Sequence, residues 1–189
     1  MDTLELYRRA QDRVDAVLAA VGPEHWDKPS ACADWSVRDV AGHLIWGQHQ
    51  LRAWASGTEY EDRRGAPGAA NPAVLTGPDP ATTWREAREL ANATLTPESL
   101  TRTTTITGMG EVPVAAVVTL LTVDQVAHAW DIAYPLGMDA RIEPDLVATS
   151  FDWARAHVVR RPGYFGPELT PPDGVDEQTR MLAFLGRQV

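Results

Sequence analysis

Val112-Pro-Val-Ala-Ala-Val-Val-Thr-Leu-Leu-Thr-Val-Asp124-Gln-Val-Ala-His128-Ala-Trp-Asp131-Ile-Ala133 is the stretch whose reading decides the fold. Pro113 is well placed to open a helix, and the spacing carries that helix to about Pro135 or Gly137. Its first half is apolar on most sides, which suits the central, buried member of a bundle. Asp124 and His128 lie four residues apart within it. Four residues advance a helix by about 6 Å and one turn plus about 40°, so the two side chains converge. They read either as a hydrogen-bonded helix pair or as half of a metal site. A carboxylate among Leu120, Leu121, Val123 and Val126 is costly to bury alone, and either a cation or a protonated His128 compensates it. Asp131 stays near the same stripe, where it either orients a ligand imidazole or is simply solvated.

Upstream, Ser36-Val-Arg-Asp39 puts a hydroxyl and a carboxylate at capping-box spacing. Val37, Val40, Leu44 and Leu51 follow on one side of a helix to about Ser56, with His43 and Trp46 in the same neighbourhood. Two such helices side by side would offer two imidazoles and one carboxylate to one ion. Three protein ligands leave a position for water or substrate, the arrangement of chemistry more than of structure. Asp2 to Val21 reads as a first helix stopped by Gly22-Pro23, and Gly57 to Pro80 as a long Gly/Pro-rich loop of the kind that often carries function. Asp79-Pro80 opens a third helix through Trp84, Ala87 and Leu95 that ends before Pro97. Thr101 to Val112 reads as a short irregular or hairpin segment. Pro144 to Val159, packing through Leu146, Phe151, Trp153 and Ala154, and Asp176 to Leu185, ended by Gly186, are two further helices. The expected fold is therefore an all-α bundle with a short hairpin and extra C-terminal helices.

Composition narrows the function classes. A chain of 189 residues suits one domain, taken here as 1–189, and 44% hydrophobic with 23% charged residues is ordinary for a globular protein. No apolar run approaches the roughly 18 residues of a membrane span, and the start of the chain lacks a basic then apolar segment, so a soluble, cytoplasmic protein is expected. A net charge of -9 without a basic cluster argues against nucleic acid and for a small-molecule partner. The single cysteine, Cys32, forbids an internal disulfide and a cysteine-rich zinc site, so any metal must use nitrogen and oxygen. With no adjacent basic residue, Cys32 reads as a small packed residue. His25, His49 and His157 fall off the ligand stripes and read as structural or surface groups. The seven tryptophans read mainly as core, with Trp46 and Trp130 close enough to the stripes to line a pocket mouth. The chain has no GxxxxGK loop, GxSxG elbow or HExxH helix.

Cys32-Ala-Asp-Trp-Ser-Val-Arg-Asp-Val-Ala-Gly-His43-Leu resembles the segment around the first metal histidine of the DinB and mycothiol-dependent maleylpyruvate isomerase superfamily. Asp124-Gln-Val-Ala-His128-Ala-Trp-Asp131-Ile-Ala resembles its second metal segment, and Leu182-Ala-Phe-Leu-Gly-Arg187 the ending of an actinobacterial metal-binding subgroup. The resemblance implies an up-down-down-up four-helix bundle made by the first four helices. It also implies a divalent ion held by His43, Asp124 and His128, with zinc ahead of nickel, iron or manganese. The isomerase branch typically has glutamate where this chain has Asp124, one methylene shorter. Relatives of this kind use mycothiol or bacillithiol in isomerase or S-transferase reactions, so a small electrophile and a low-molecular-weight thiol are the implied partners. Homodimer formation is left open. Asp131 would support a ligand, and Arg187 would anchor an anionic substrate or thiol carboxylate, or else be a surface cation. Isomerase members carry an additional C-terminal domain, whereas two short helices follow the bundle here, so maleylpyruvate itself does not follow as substrate. A noncatalytic metal-binding module and, from the two-histidine, one-carboxylate set, a non-haem iron enzyme are the alternative readings.

Overall fold

The computed structural model describes residues 2–161 and 163–189. Four long helices form the bundle: α1 (Thr3–Ala20), α2 (Val37–Ser56), α3 (Pro80–Asn92) and α5 (Val114–Ala133). Each start carries the signal its sequence announces. Asp2 accepts from the Leu4 amide, Ser36 and Asp39 close a capping box, and Asp79 caps α3 with Pro80 behind it. The stops are equally local: Gly57 ends α2 in the left-handed region at φ 69°, which an L side chain disfavours. The third helix stops at Asn92, short of the expected Leu95, and the Asn92 side chain enters a hydrogen-bond network described below.

Helix α1 packs against α3 and α5, and α2 packs against the same two, so α1 and α2 occupy opposite corners. Helix α5 is buried almost all round from Leu121 to Ala133, as its apolar sequence demands. The hairpin forms as strands β1 (Thr103–Ile106) and β2 (Gly110–Pro113), with Thr103 opposite Pro113 and Ile106 opposite Gly110. A five-residue helix, α4 (Pro97–Thr101), precedes it; that length is too short to leave a periodic signal, although Thr96 and Ser99 form a capping box. Helices α6 (Pro144–His157) and α7 (Glu177–Phe184) close one side of the bundle, with Leu146, Phe151, Met181 and Leu182 in a shared apolar cluster. Among the described residues no helix is long and apolar enough to cross a membrane.

The loop between α2 and α3 is not loose. A 3-10 turn at Pro72–Leu75 packs on α2, and Asp39, which caps that helix with one oxygen, accepts from the Ala73 amide with the other at 3.1 Å. Gly42 makes the approach feasible: a Cβ there would lie 2.0 Å from the Pro72 carbonyl oxygen.

A buried polar network ties the helices together across the core. The Tyr7 hydroxyl donates to Gln48 Oε1 at 2.9 Å, and Gln11 Nε2 donates to the same oxygen at 3.0 Å. Asn92 completes it by exchanging two hydrogen bonds with Gln11. Burial pushes the Tyr7 hydroxyl up to about 12, against hydrogen bonds led by that to Gln48, which lower it. The folded state therefore holds this proton more tightly than the unfolded chain, whose tyrosine titrates near 10. Stability from this group is intact below pH 10 and is lost as pH rises towards about 12, at about 1.4 kcal/mol per pH unit. Urea unfolding at about pH 8 and about pH 11 should show wild type losing about 1.4 kcal/mol more than Tyr7→Phe, which itself costs about 1 kcal/mol at neutral pH. Equal losses in the two proteins would contradict this assignment.

Candidate metal centre

His43 comes from α2, Asp124 and His128 from α5, and the packing of those helices brings the three together at the floor of a cleft. His43 Nε2 lies 3.5 Å from Asp124 Oδ1, and His128 Nε2 lies 3.4 Å from the same oxygen. The two rings meet edge-on with centroids 5.0 Å apart. Both histidines are buried, and Asp124 is open only towards the cleft.

The outer nitrogens define what the inner ones do. His43 Nδ1 is 2.7 Å from the Gly65 carbonyl, which can only accept, so that nitrogen carries a proton and donates it. His128 Nδ1 donates in the same way to Asp131 Oδ2 at 2.8 Å. In the singly protonated rings, two Nε2 lone pairs and a carboxylate oxygen then face one another, an arrangement that only a positive charge between them makes favourable. The spacing suits an ion: ligands about 2.1 Å from a tetrahedral cation stand about 3.4 Å apart. Without an ion, a proton fills the role. Burial alone would lower His128, but the Asp124 carboxylate, and after it Asp131, raise it to about 9. Burial likewise works to raise Asp124, and the two imidazoles outweigh it, holding the carboxyl far below the usual range.

Asp131 sits behind His128, fully buried. Arg187 reaches it with Nε 3.1 Å from Oδ1 and Nη2 2.8 Å from Oδ2, and its Nη1 donates to the Leu185 carbonyl. This corrects the surface-cation reading of Arg187. It is not a surface cation: it is 8% exposed, and Nε, Nη1 and Nη2 each donate inside the protein, at the edge of the cleft that it helps to line. Burial would raise Asp131, yet the guanidinium beside it holds the carboxyl down at about 2.

Cys32 is also drawn into the site, although nothing adjacent in sequence pointed there. The Ala31 amide donates to the Asp131 carbonyl, which brings the 31–35 segment against α5. Cys32 offers a ligand atom within 4.8 Å of His128 and Asp131. That second cluster suits a cation poorly, since both Asp131 oxygens already accept from a guanidinium. Burial pushes the Cys32 thiol up to about 12.

The cleft above the floor measures about 1360 Å³. The long loop supplies part of its wall and, through three backbone carbonyls, fixes three rings: Asp62 accepts from Trp46 Nε1, Gly65 from His43 and Ala69 from Trp35 Nε1. Trp35 lies 5.0 Å from the His43 ring, and Trp46 stacks against that ring at 6.0 Å. Trp46 thus lines the pocket as expected. Trp130 does not, because it is buried in the core cluster beside α6 and α7 and stacks on Tyr134. Trp54 and Trp153 take part in the lining instead, and His157, expected to be peripheral, lies at the cleft stacked on Trp153. His49 stays away from the ligand set, against Tyr60.

Residues 7–133 match the family described as the mycothiol maleylpyruvate isomerase N-terminal domain. Two uncharacterized proteins, one from each of two strains of Mycobacterium tuberculosis, are 32% identical to the chain over 194 residues, covering 100% of it and 100% of themselves. The crystal structure of a mutant of mycothiol-dependent maleylpyruvate isomerase aligns with a TM-score of 0.60 at 16% identity, over 78% of this chain. The chain spans 65% of that isomerase's length. A match that takes in α2 and α5 together with all three converging side chains makes the chain a member of the mycothiol maleylpyruvate isomerase N-terminal domain family, within the DinB-like superfamily.

Proposed function

We propose that the chain, taken over residues 1–189 as one metal-binding domain, is a cytoplasmic enzyme dependent on a divalent metal and a low-molecular-weight thiol. It transfers that thiol to a small electrophile, or uses it transiently to isomerise one. The observation that carries this reading is the convergence of His43 Nε2, His128 Nε2 and Asp124 Oδ1 at the floor of a large cleft. Three ligands with an open side towards the cleft are the pattern of a catalytic rather than a closed structural site. The nitrogen and oxygen donors suit zinc first, with nickel, iron and manganese as competitors that metal analysis distinguishes. Mycothiol is the thiol that the family's description favours.

A divalent ion at this point supplies the positive charge that favours a thiolate over a thiol, and the thiolate is the nucleophile. The chain's own residues do the rest. Gly65 and Asp131 keep the protons of both histidines on Nδ1, leaving each Nε2 free to ligate. Trp35 and Trp46 wall the His43 ring and exclude water from its face. Arg63 and Arg161 line the cleft and favour a negatively charged group on an incoming molecule.

Metal content by mass spectrometry, on protein purified without chelator or affinity metal, should be near-stoichiometric in wild type. It should be lost in His43→Ala, Asp124→Ala and His128→Ala. Wild type without metal and unable to take it up would sink the proposal, as would metal-loaded protein inert towards electrophiles in the presence of thiol. The loop contact gives an independent check. A Cβ on Gly65 would lie 2.3 Å from Trp46 Cβ, so Gly65→Ala must move the carbonyl that holds His43. Its metal affinity, measured by chelator competition, should fall about tenfold or more. Gly166→Ala, where a Cβ would meet nothing within 4 Å, should bind as wild type.

A further inference from the structure

The three-donor load on Asp131 assigns a task to the last turn of the chain. Oδ1 accepts from Arg187 Nε; Oδ2 accepts from both Arg187 Nη2 and His128 Nδ1. A carboxylate held by one partner can pivot about its Cβ–Cγ bond. One gripped by a guanidinium fork has its plane fixed, and two parallel hydrogen bonds do the fixing. Arg187 is itself immobilised. Its amide donates to the Leu182 carbonyl, its Nη1 to the Leu185 carbonyl, and its guanidinium lies 5.8 Å from the Phe165 ring. Gly186 makes the turn that delivers it, at φ 85°, with the Pro167 carbonyl oxygen only 3.0 Å from where a Cβ would stand.

We propose that Arg187 is a positioning residue: its fork sets the plane of the Asp131 carboxylate and, through it, the ring orientation of His128 in the ligand set. The segment after α7 thus controls a side chain on α5 that lies 59 positions earlier in numbering, through an acceptor that Arg187 and His128 share. The rival role for Arg187 is charge neutralisation of a buried carboxylate. The two roles separate on chemistry, because a lysine ammonium supplies the charge as a point donor without the planar fork. The proposal rests on the metal reading only for the second of its two readouts.

The first readout needs no metal. In metal-free protein labelled with nitrogen-15 at histidine, the His128 Nδ1 proton, assigned by its loss in His128→Gln, should exchange slowly with solvent. In Arg187→Lys, with the helical circular dichroism of wild type, that proton should exchange about tenfold faster or more, and cobalt(II) affinity should fall about 10- to 100-fold. Gly186→Ala leaves every charged group in place and shifts the fork, so it should give the same two losses. It also carries the test if Arg187→Lys fails to fold. Wild-type proton exchange and cobalt(II) affinity in Arg187→Lys and Gly186→Ala would overturn the proposal and leave Arg187 as a counter-charge. If wild type takes up no cobalt(II), the metal reading fails on its own, and the ring-proton comparison alone decides the role of Arg187.

Discussion

Two carboxylates on one apolar helix set the terms for the rest of the molecule. Helix α5 is buried on nearly every side and carries Asp124 and Asp131, each of which is costly to remove from water without compensation. The compensation arrives from three separate parts of the chain. Helix α2 brings His43 to Asp124, α5 itself brings His128 between the two acids, and the C-terminal turn brings Arg187 to Asp131. The charges alternate: an acid, an imidazole, an acid, a guanidinium. Removing any one of them strands a neighbour in the core, so the line is a constraint on folding as much as a preparation for chemistry.

The loop between α2 and α3 follows from the same constraint. A histidine aimed inward at Asp124 needs its other nitrogen satisfied. The loop folds back over α2 and presents the Gly65 carbonyl. It can do so because Gly42 lets Pro72 approach the helix and Gly65 lets the loop lie on Trp46. Glycine and proline in this stretch therefore serve a specified path over the helix, not slack between elements. Asp39 shows the economy of the arrangement, with one oxygen capping α2 and the other tethering the loop at Ala73.

What could be read from the sequence was what repeats or what sits at a fixed local offset. Helical period and caps located the long helices, and the i, i+4 spacing of Asp124 and His128 brought both to one point. Burial of a carboxylate among aliphatic neighbours pointed to a partner of opposite charge. The parts that escaped have no local signature. A backbone carbonyl such as that of Gly65 is present at every residue, so sequence cannot mark the one that accepts from His43. Arg187 could be seen as a cation near the C-terminus, but its choice between solvent, substrate and Asp131 depends on how a turn of glycine and a short helix docks. Trp35 and Trp130 exchanged roles for the same reason. Ala31 is pinned to the Asp131 carbonyl, which swings Trp35 to the site, while Trp130 faces the opposite cluster on α5.

The boundary of the family match carries a further consequence. Residues 7–133 contain His43, Asp124, His128 and Asp131, and nothing beyond α5 supplies any of the three converging groups. Yet the cleft above them is walled in part by Trp153, Arg161, Tyr164 and Phe165, and the support of His128 runs through Arg187. The candidate metal centre thus lies within the matched residues, while part of its surroundings comes from the segment after them. The Mycobacterium tuberculosis relatives align over the whole chain, while the isomerase structure aligns over 78% of it. The bundle places His43, Asp124 and His128 through the packing of α2 on α5, while the segment after it both walls the cleft and, through Arg187, supports His128. The first 133 residues therefore carry the family match and the converging side chains, while the segment after them bears on what the cleft admits.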